Sequence, residues 1–267
     1  MKLLMLGTGN AQVTECYNTC FVMDEGNGCL LVDGGGGNAL LAQLKKGGYT
    51  WKDMRDIIVT HKHIDHLLGI IWMFRMICQG MSRGQYEGEA RLYAHADCIQ
   101  TLRQLADMLL TPKETKYIND RFHLIAVSDG ETVNIIGREV TFFDIGSTKE
   151  KQYGFSMKLD DGKKITCCGD EPYCDREYSY AKDSYVLLHE AFCLYSQRDI
   201  FDPYKKNHST VKDACELAEK LNVPNLVLYH TEDRNIRRRK ELYLAEGREY
   251  YRGNLFVPDD LEILHFD

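Results

Sequence analysis

The stretch His61-Lys62-His63-Ile64-Asp65-His66 decides the reading of this chain. Four metal-capable side chains fall within six positions, in the pattern HxHxDH, although the whole sequence has only nine histidines. The run from Asp56 to Thr60 (DIIVT) leads into the motif and predicts a strand. In extended backbone side chains alternate, so His61 and His63 point the same way. A helix is expected to follow through Leu67 to Ile71, and its first turn swings Asp65 and His66 to the same spot. Two imidazoles then face one metal ion, while a carboxylate and a third imidazole face a second. Paired divalent ions hold a hydroxide and polarise a phosphoryl or carbonyl group, so the motif points to hydrolysis.

Size and composition frame this reading. The 267 residues are enough for one large core, and the sequence has no repeat or low-complexity linker, so a single domain over residues 1–267 is expected. With 44% hydrophobic and 27% charged residues, the chain has the balance of a soluble globular protein. No apolar run reaches the roughly 20 residues of a membrane helix. The apolar start Met1 to Leu6 runs into Gly7-Thr8-Gly9 without a cleavage site and is read as a buried first strand. The ten scattered cysteines contain no CxxC pair and suit a reducing, cytoplasmic setting. A net charge of -7 and the lack of a long basic face argue against a grip on extended nucleic acid. The basic run Arg237-Arg238-Arg239-Lys240 reads first as a solvated helix face with charge pairs, and second as a phosphate contact.

Periodicity then outlines the architecture. Strands are predicted at Lys2 to Leu6, Thr19 to Met23, Cys29 to Val32, Asp56 to Thr60 and Arg91 to Ala94, with helices at Asn38 to Lys46 and Cys98 to Leu110. The second half repeats the style, with strands at Glu139 to Asp144, Gly154 to Leu159, Lys164 to Cys168, Tyr185 to His189 and Leu226 to Tyr229. Thr210 with Asp213 forms a capping-box pattern before the helix Val211 to Leu221. Strands first and helices later in each half suggest two sheets face to face with helices outside, a four-layer αββα arrangement in the α/β class.

Further polar groups follow the later strands: Gly169-Asp170, His189-Glu190, His208-Ser209-Thr210 and His230. With the opening motif they resemble the metallo-β-lactamase superfamily. Gly7-Thr8-Gly9, Asn18-Thr19, His189-Glu190-Ala191 and His208-Ser209-Thr210 narrow the resemblance to its tRNase Z-like phosphodiesterase branch. The resemblance implies an αββα sandwich, two divalent ions (zinc first, manganese or iron as alternatives), and a homodimer. It assigns His61 and His63 to metal one, and Asp65, His66 and His230 to metal two, with Asp170 bridging. Asp65 also orients the attacking water. Glu190 and His208 form a relay in which His208 protonates the leaving oxygen. Lys205 and Lys206 are candidates for substrate phosphate.

Two departures from the branch matter. Its members place one more metal-one histidine in the loop before a Gly-aromatic strand start. Here that start is Gly154-Phe155, and the corresponding positions, Gly146 to Thr148, hold no histidine. Metal one is therefore expected to bind weakly. Members that process tRNA also carry a basic arm between this strand and the Gly-Asp motif. Here only Ser156 to Cys168 intervene, room for a hairpin turning at Asp160-Asp161-Gly162. A small or cyclic nucleotide-type diester is thus favoured over tRNA, since some members of the branch, phage enzymes among them, cleave cyclic nucleotide signals. The alternatives are tRNA 3′-end processing, a degenerate metal site that binds without turnover, and hydrolysis of a thioester or lactone. The glycine-spaced segment from Met73 to Glu89 is read as either a lid or a surface loop. Asp33 to Gly37 is read as a tight turn, since it lacks the phosphate-loop pattern.

Overall fold

The computed structural model describes residues 1–266. One sheet takes β1 (Lys2–Gly7), β2 (Cys20–Asp24), β3 (Cys29–Val32), β4 (Asp56–Ile58), β5 (Ala90–His95), β6 (Phe122–Val127) and, from the far end of the described chain, β14 (Ile263–His265). Their order is β14-β1-β2-β3-β4-β5-β6. The second sheet runs β13-β12-β11-β10-β9-β8-β7, built from β7 (Thr132–Ile135), β8 (Arg138–Asp144), β9 (Tyr153–Lys158), β10 (Lys164–Cys167), β11 (Val186–Glu190), β12 (Asn225–Tyr229) and β13 (Asn254–Phe256). Helices α1 (Ala39–Lys46), α2 (Ile64–Ser82), α3 (Ala96–Leu109) and α4 (Pro112–Thr115) follow strands of the first half. Those of the second half are α5 (Tyr178–Ala181), α6 (Arg198–Phe201), α7 (Val211–Lys220) and α8 (Arg239–Gly247).

Strand alternation sorts the apolar side chains into layers. On β1, Leu3 and Met5 enter the core between the sheets, while Leu4 and Leu6 face α1 and α2. On β11, Val186 and Leu188 join the inter-sheet core and Leu187 the core under α7 and α8. Three buried layers of this kind between four layers of structure make the expected αββα sandwich. The predicted capping box at Thr210 and Asp213 is formed and starts α7.

One expectation is corrected. The segment from Met73 to Glu89 is no lid: it continues α2 to Ser82, with Met73, Phe74, Ile77, Cys78 and Met81 buried. Gly80 permits close packing instead. A Cβ on Gly80 would stand 2.4 Å from the Trp51 ring. The remaining turn is tied down by Arg121, which donates to the carbonyls of Tyr86 and Gly88. No helix among the described residues is long and apolar enough to cross a membrane.

Candidate metal centre

The site forms where β4 ends and α2 begins. His61 to His63 leave the sheet in non-helical backbone, and His63 (φ -62, ψ 148) sits just before the first turn of α2. That turn contains Asp65 and His66, as the motif requires. It lies on the Asp33–Gly35 turn: Gly34 N–H donates to the His66 carbonyl at 2.7 Å and Gly69 N–H to the Gly35 carbonyl at 2.9 Å. A Cβ on Gly69 would meet the Gly34 oxygen at 1.8 Å, so the glycines allow two backbones to touch.

Asp33 has a second duty that the motif did not reveal. Its Oδ1 accepts the Thr60 N–H and its Oδ2 the Thr60 hydroxyl, both at 2.8 Å. His66 Nδ1 lies 2.8 Å from the same Oδ2, and His61 Nδ1 lies 2.9 Å from Thr60 Oγ1. A carboxylate only accepts, so the Thr60 proton goes to Asp33 and Thr60 Oγ1 accepts from His61 Nδ1–H. Both imidazoles thereby turn Nε2 inward as the metal-facing atom, the arrangement second-shell carboxylates impose on ligating histidines.

Asp170 is the hub. Its Oδ2 lies 3.6 Å from His61 Nε2 and 3.4 Å from the Nε2 atoms of His66 and His230. Asp65 Oδ2 lies 3.4 Å from His66 Nε2 and 3.6 Å from His230 Nε2. Tetrahedral zinc with arms of about 2.0–2.1 Å separates its ligands by about 3.3–3.4 Å. The Oδ2 atoms of Asp65 and Asp170 therefore each stand at about ligand spacing from His66 and His230, and Asp65, His66 and His230 form one three-residue cluster. The Nε2 atoms of His66 and His230 are buried without hydrogen-bond partners, so the protein alone does not satisfy them. These residues fit a divalent metal. His61 with His66 and Asp170 forms an overlapping group, but His63 belongs to no three-residue cluster among the described residues. Its Nδ1 lies 2.8 Å from His61 Nε2, so it stands at the edge of the expected metal-one site.

Charge follows from this packing. Burial would push the Asp170 carboxyl up, but His61, His66 and His230 outweigh it and hold it well below the usual range. Asp65 is held far down in the same way, chiefly by His66 against the cost of burial. Burial drives the His61 imidazole down and leaves it neutral. His66 is driven up: burial opposes protonation, yet Asp65 and Asp33 prevail. A divalent ion held there would compete with a proton for His66.

Gln152 fixes the hub. It is fully buried, donates to Asp170 Oδ1, and accepts the Asp170 N–H at 2.7 Å. This leaves Oδ2 as the oxygen facing the histidines. His230 follows β12 in left-handed backbone (φ 56) and is anchored by its neighbour. Thr231 N–H donates to the Thr8 carbonyl and Asn10 N–H to the Thr231 carbonyl, each at 3.0 Å. The Gly7-Thr8-Gly9 stretch thus holds His230 in place from the first sheet.

The proton relay assembles opposite. On β11, alternation sends Glu190 the way of Val186 and Leu188, and turns His189 toward α7. Glu190 is fully buried, accepts the Ser209 N–H, and has Oε2 3.6 Å from His208 Nδ1. The His208 ring lies flat on Phe192, with centroids 4.8 Å apart and 5° between planes. Burial would lower its pKa, but the Glu190 carboxylate raises it and favours the imidazolium. The pocket between relay and metal ligands has a volume of about 400 Å³ and is lined by Lys62 and Lys149. Lys205 and Lys206, the expected phosphate contacts, do not line it. A 3₁₀ turn at Tyr204–Lys206 ends at Asn207 in left-handed backbone, so the chain sends His208 inward and leaves the lysines outside. Lys206 Nζ instead lies 5.1 Å above the Phe192 ring. Arg239, by contrast, is not on the surface: it is fully buried and donates to Thr231 and to the Pro258 carbonyl.

The family described as anti-Pycsar protein Apyc1 matches residues 1–247. The chain belongs to this family. Among curated relatives, the Ribonuclease Z of Nitrosopumilus maritimus (strain SCM1) is 26% identical over 98% of this chain and 99% of its own length. That of Thermococcus onnurineus (strain NA1) is 35% identical over 39% of this chain, a match spanning only 32% of that enzyme. The solved structure of the metallo-β-lactamase fold protein YhfI from Bacillus subtilis superposes with a TM-score of 0.81 at 18% identity, over 98% of both chains. The Apyc1-family chain therefore has the metallo-β-lactamase fold.

Proposed function

We propose that this Apyc1-family protein is a metal-dependent hydrolase of small phosphodiesters, with a cyclic or otherwise compact nucleotide diester as substrate. The observation that carries the reading is one pocket of about 400 Å³ lined together by Asp65, Asp170, His230 and His208. That volume lies at the small end of the ligand-pocket range. Asp65, His66, Asp170 and His230 would hold the tighter ion, and His61 with Asp170 and His63 a weaker one. When bound, divalent ions supply Lewis acidity and a water of lowered pKa. Asp65 stays ionised and accepts a hydrogen bond from the attacking water. Lys62 and Lys149 draw the anionic diester into a chain whose net charge is -7. His208, kept protonated by Glu190, gives its proton to the departing alkoxide, a poor leaving group that needs an acid.

The name shared by the two curated relatives favours a second reading, tRNA 3′-end processing. Against it, β9 and β10 pair directly as an antiparallel hairpin, Lys158 opposite Lys164, which leaves only a turn where a tRNA-gripping arm would insert. Hydrolysis of bis(p-nitrophenyl) phosphate, cyclic nucleotides and a pre-tRNA, each with added zinc or manganese, tests both. Turnover of cyclic nucleotides without pre-tRNA cleavage is expected. Turnover of none of the three removes the hydrolase reading, and pre-tRNA cleavage at rates like those on the model diester reverses the order.

A further inference from the structure

A second buried carboxylate joins the two halves of the site. Glu171 directly follows the hub residue Asp170 and is only 4% exposed. Its Oε1 accepts the Ser147 hydroxyl at 2.7 Å, and its Oε2 accepts the Asn207 side-chain N–H at 2.7 Å. Ser147 lies in the loop between β8 and β9, where the branch-specific histidine is absent. Asn207 immediately precedes His208 and holds left-handed backbone with φ 57. Ser147 Oγ also accepts the N–H groups of Lys149 and Glu150, each at 3.3 Å, so one hydroxyl folds the loop and ties it to Glu171. Three segments distant in sequence thus meet on one carboxylate.

We propose that Glu171 is a positioning residue for proton donation by His208, acting through Asn207. The proposal rests on the phosphodiesterase reading above. The His208 ring is held flat against Phe192, and its Nδ1 lies 3.6 Å from Glu190 Oε2, an ion-pair separation that a modest shift of the ring would close to a hydrogen bond or open further. The residue that sets the direction of the chain into His208 is Asn207. Asparagine is one of the few residues with a side chain that tolerates this left-handed backbone, and Glu171 supplies the closest bond to that side chain. The same carboxylate anchors the β8–β9 loop from within the protein. Loss of Glu171 frees Asn207, lets the imidazole leave its stack, and removes acid catalysis without removing any of the residues assigned to the metal.

The test compares Glu171→Ala and Glu171→Gln with the native chain on the p-nitrophenyl and phenyl esters of thymidine monophosphate. Metal content is measured in parallel. A glutamine can accept from Asn207 through its oxygen and donate to Ser147 through its nitrogen, so it should rescue the geometry. Expected for Glu171→Ala is a loss on the phenyl ester about ten-fold larger than on the p-nitrophenyl ester, because only the poorer leaving group needs the proton. Expected for Glu171→Gln is a near-native ratio, with native metal content in both variants. Equal losses on the two esters, no loss, a glutamine variant as damaged as the alanine one, or a lower metal content in the alanine variant each overturn the proposal. If the native chain cleaves neither ester, the phosphodiesterase reading falls instead. Glu171 is then judged by the crystal structure of Glu171→Ala, where a His208 ring still flat on Phe192 defeats the positioning role and a displaced ring supports it.

Discussion

Asp33→Asn is the sharpest probe of how this site is wired. The parent carboxylate accepts the Thr60 N–H, the Thr60 hydroxyl and His66 Nδ1–H, each at 2.8 Å. Asparagine has nearly the same size and keeps an oxygen for the Thr60 N–H. Its amide nitrogen then stands where Oδ2 stood and can only donate. His66 must accept at Nδ1 and so carries its remaining proton on Nε2, the atom 3.4 Å from both Asp65 Oδ2 and Asp170 Oδ2. The Thr60 hydroxyl, now facing a donor, turns its proton toward His61 Nδ1 and drives that ring to the same wrong tautomer. Removing one outer partner of a ligating histidine costs about 10–100-fold in metal affinity, or about 1.4–2.7 kcal/mol. Because one substitution here reverses two rings, the upper end is expected. The assay is competition between the metal-free protein and a chromophoric zinc chelator, with a thermal melt in chelator to show that the variant folds. A folded Asp33→Asn protein with parental zinc affinity would refute the tautomer argument.

Other outcomes follow from the same structure. Burial lifts the Glu177 carboxyl to about 8, against a backbone hydrogen bond from Cys174 that pulls it down. Between its ordinary 4.5 and about 8 the folded chain keeps a proton that the unfolded chain has lost, so stability falls as pH rises through this window and levels off above it. At about 1.4 kcal/mol per pH unit the full effect is about 5 kcal/mol. Glu177→Gln should therefore gain stability over the parent as pH rises, read as the difference in denaturant midpoint between pH 5 and pH 9; parallel pH profiles would contradict a neutral buried Glu177. His208→Ala should slow cleavage by about 10²–10⁴-fold for alkyl leaving groups, and far less for p-nitrophenolate. Equal losses on both would deny it the role of acid. Gln152→Ala releases Asp170 Oδ1 and should weaken zinc binding by about ten-fold, measured by the same chelator competition; unchanged affinity would show that Asp170 needs no clamp.

Much of the fold was legible because the relevant signals are local. Cys29 to Val32 reads as a strand and is one, and the Thr210–Asp213 capping box starts the helix it predicts. Four polar groups, Asp170, Glu190, His208 and His230, stand out in the sequence by their places beside strands and helix starts, and the structure gathers them around the HxHxDH turn. The misses are of another kind. Asp33 was read as part of a turn, and nothing within residues 33–37 says that its carboxylate meets His66 and Thr60 on the neighbouring strand's extension. Gln152, Glu171 and Lys149 had no motif to mark them. The segment after Met73 looked loose because its glycines were read as flexibility, whereas Gly80 serves close approach to Trp51. Arg239 sat in a basic run and proved buried, since the pattern of a charge run does not show which member turns inward.

The amino-acid sequence by itself determined the chemistry on offer: a ligand-rich turn between a strand and a helix, and side-chain alternation that fixes which residues share a face. Those are properties of neighbours within a few positions, set by backbone geometry alone. Only the tertiary structure decided the pairing. Which strands lie side by side brings Asp33 to His66, Gln152 to Asp170 and Glu171 to Asn207, across separations of 33, 18 and 36 residues. These hydrogen bonds choose tautomers, free one carboxylate oxygen and leave His63 at the margin. Their partners are selected by burial and strand order, which no local pattern encodes.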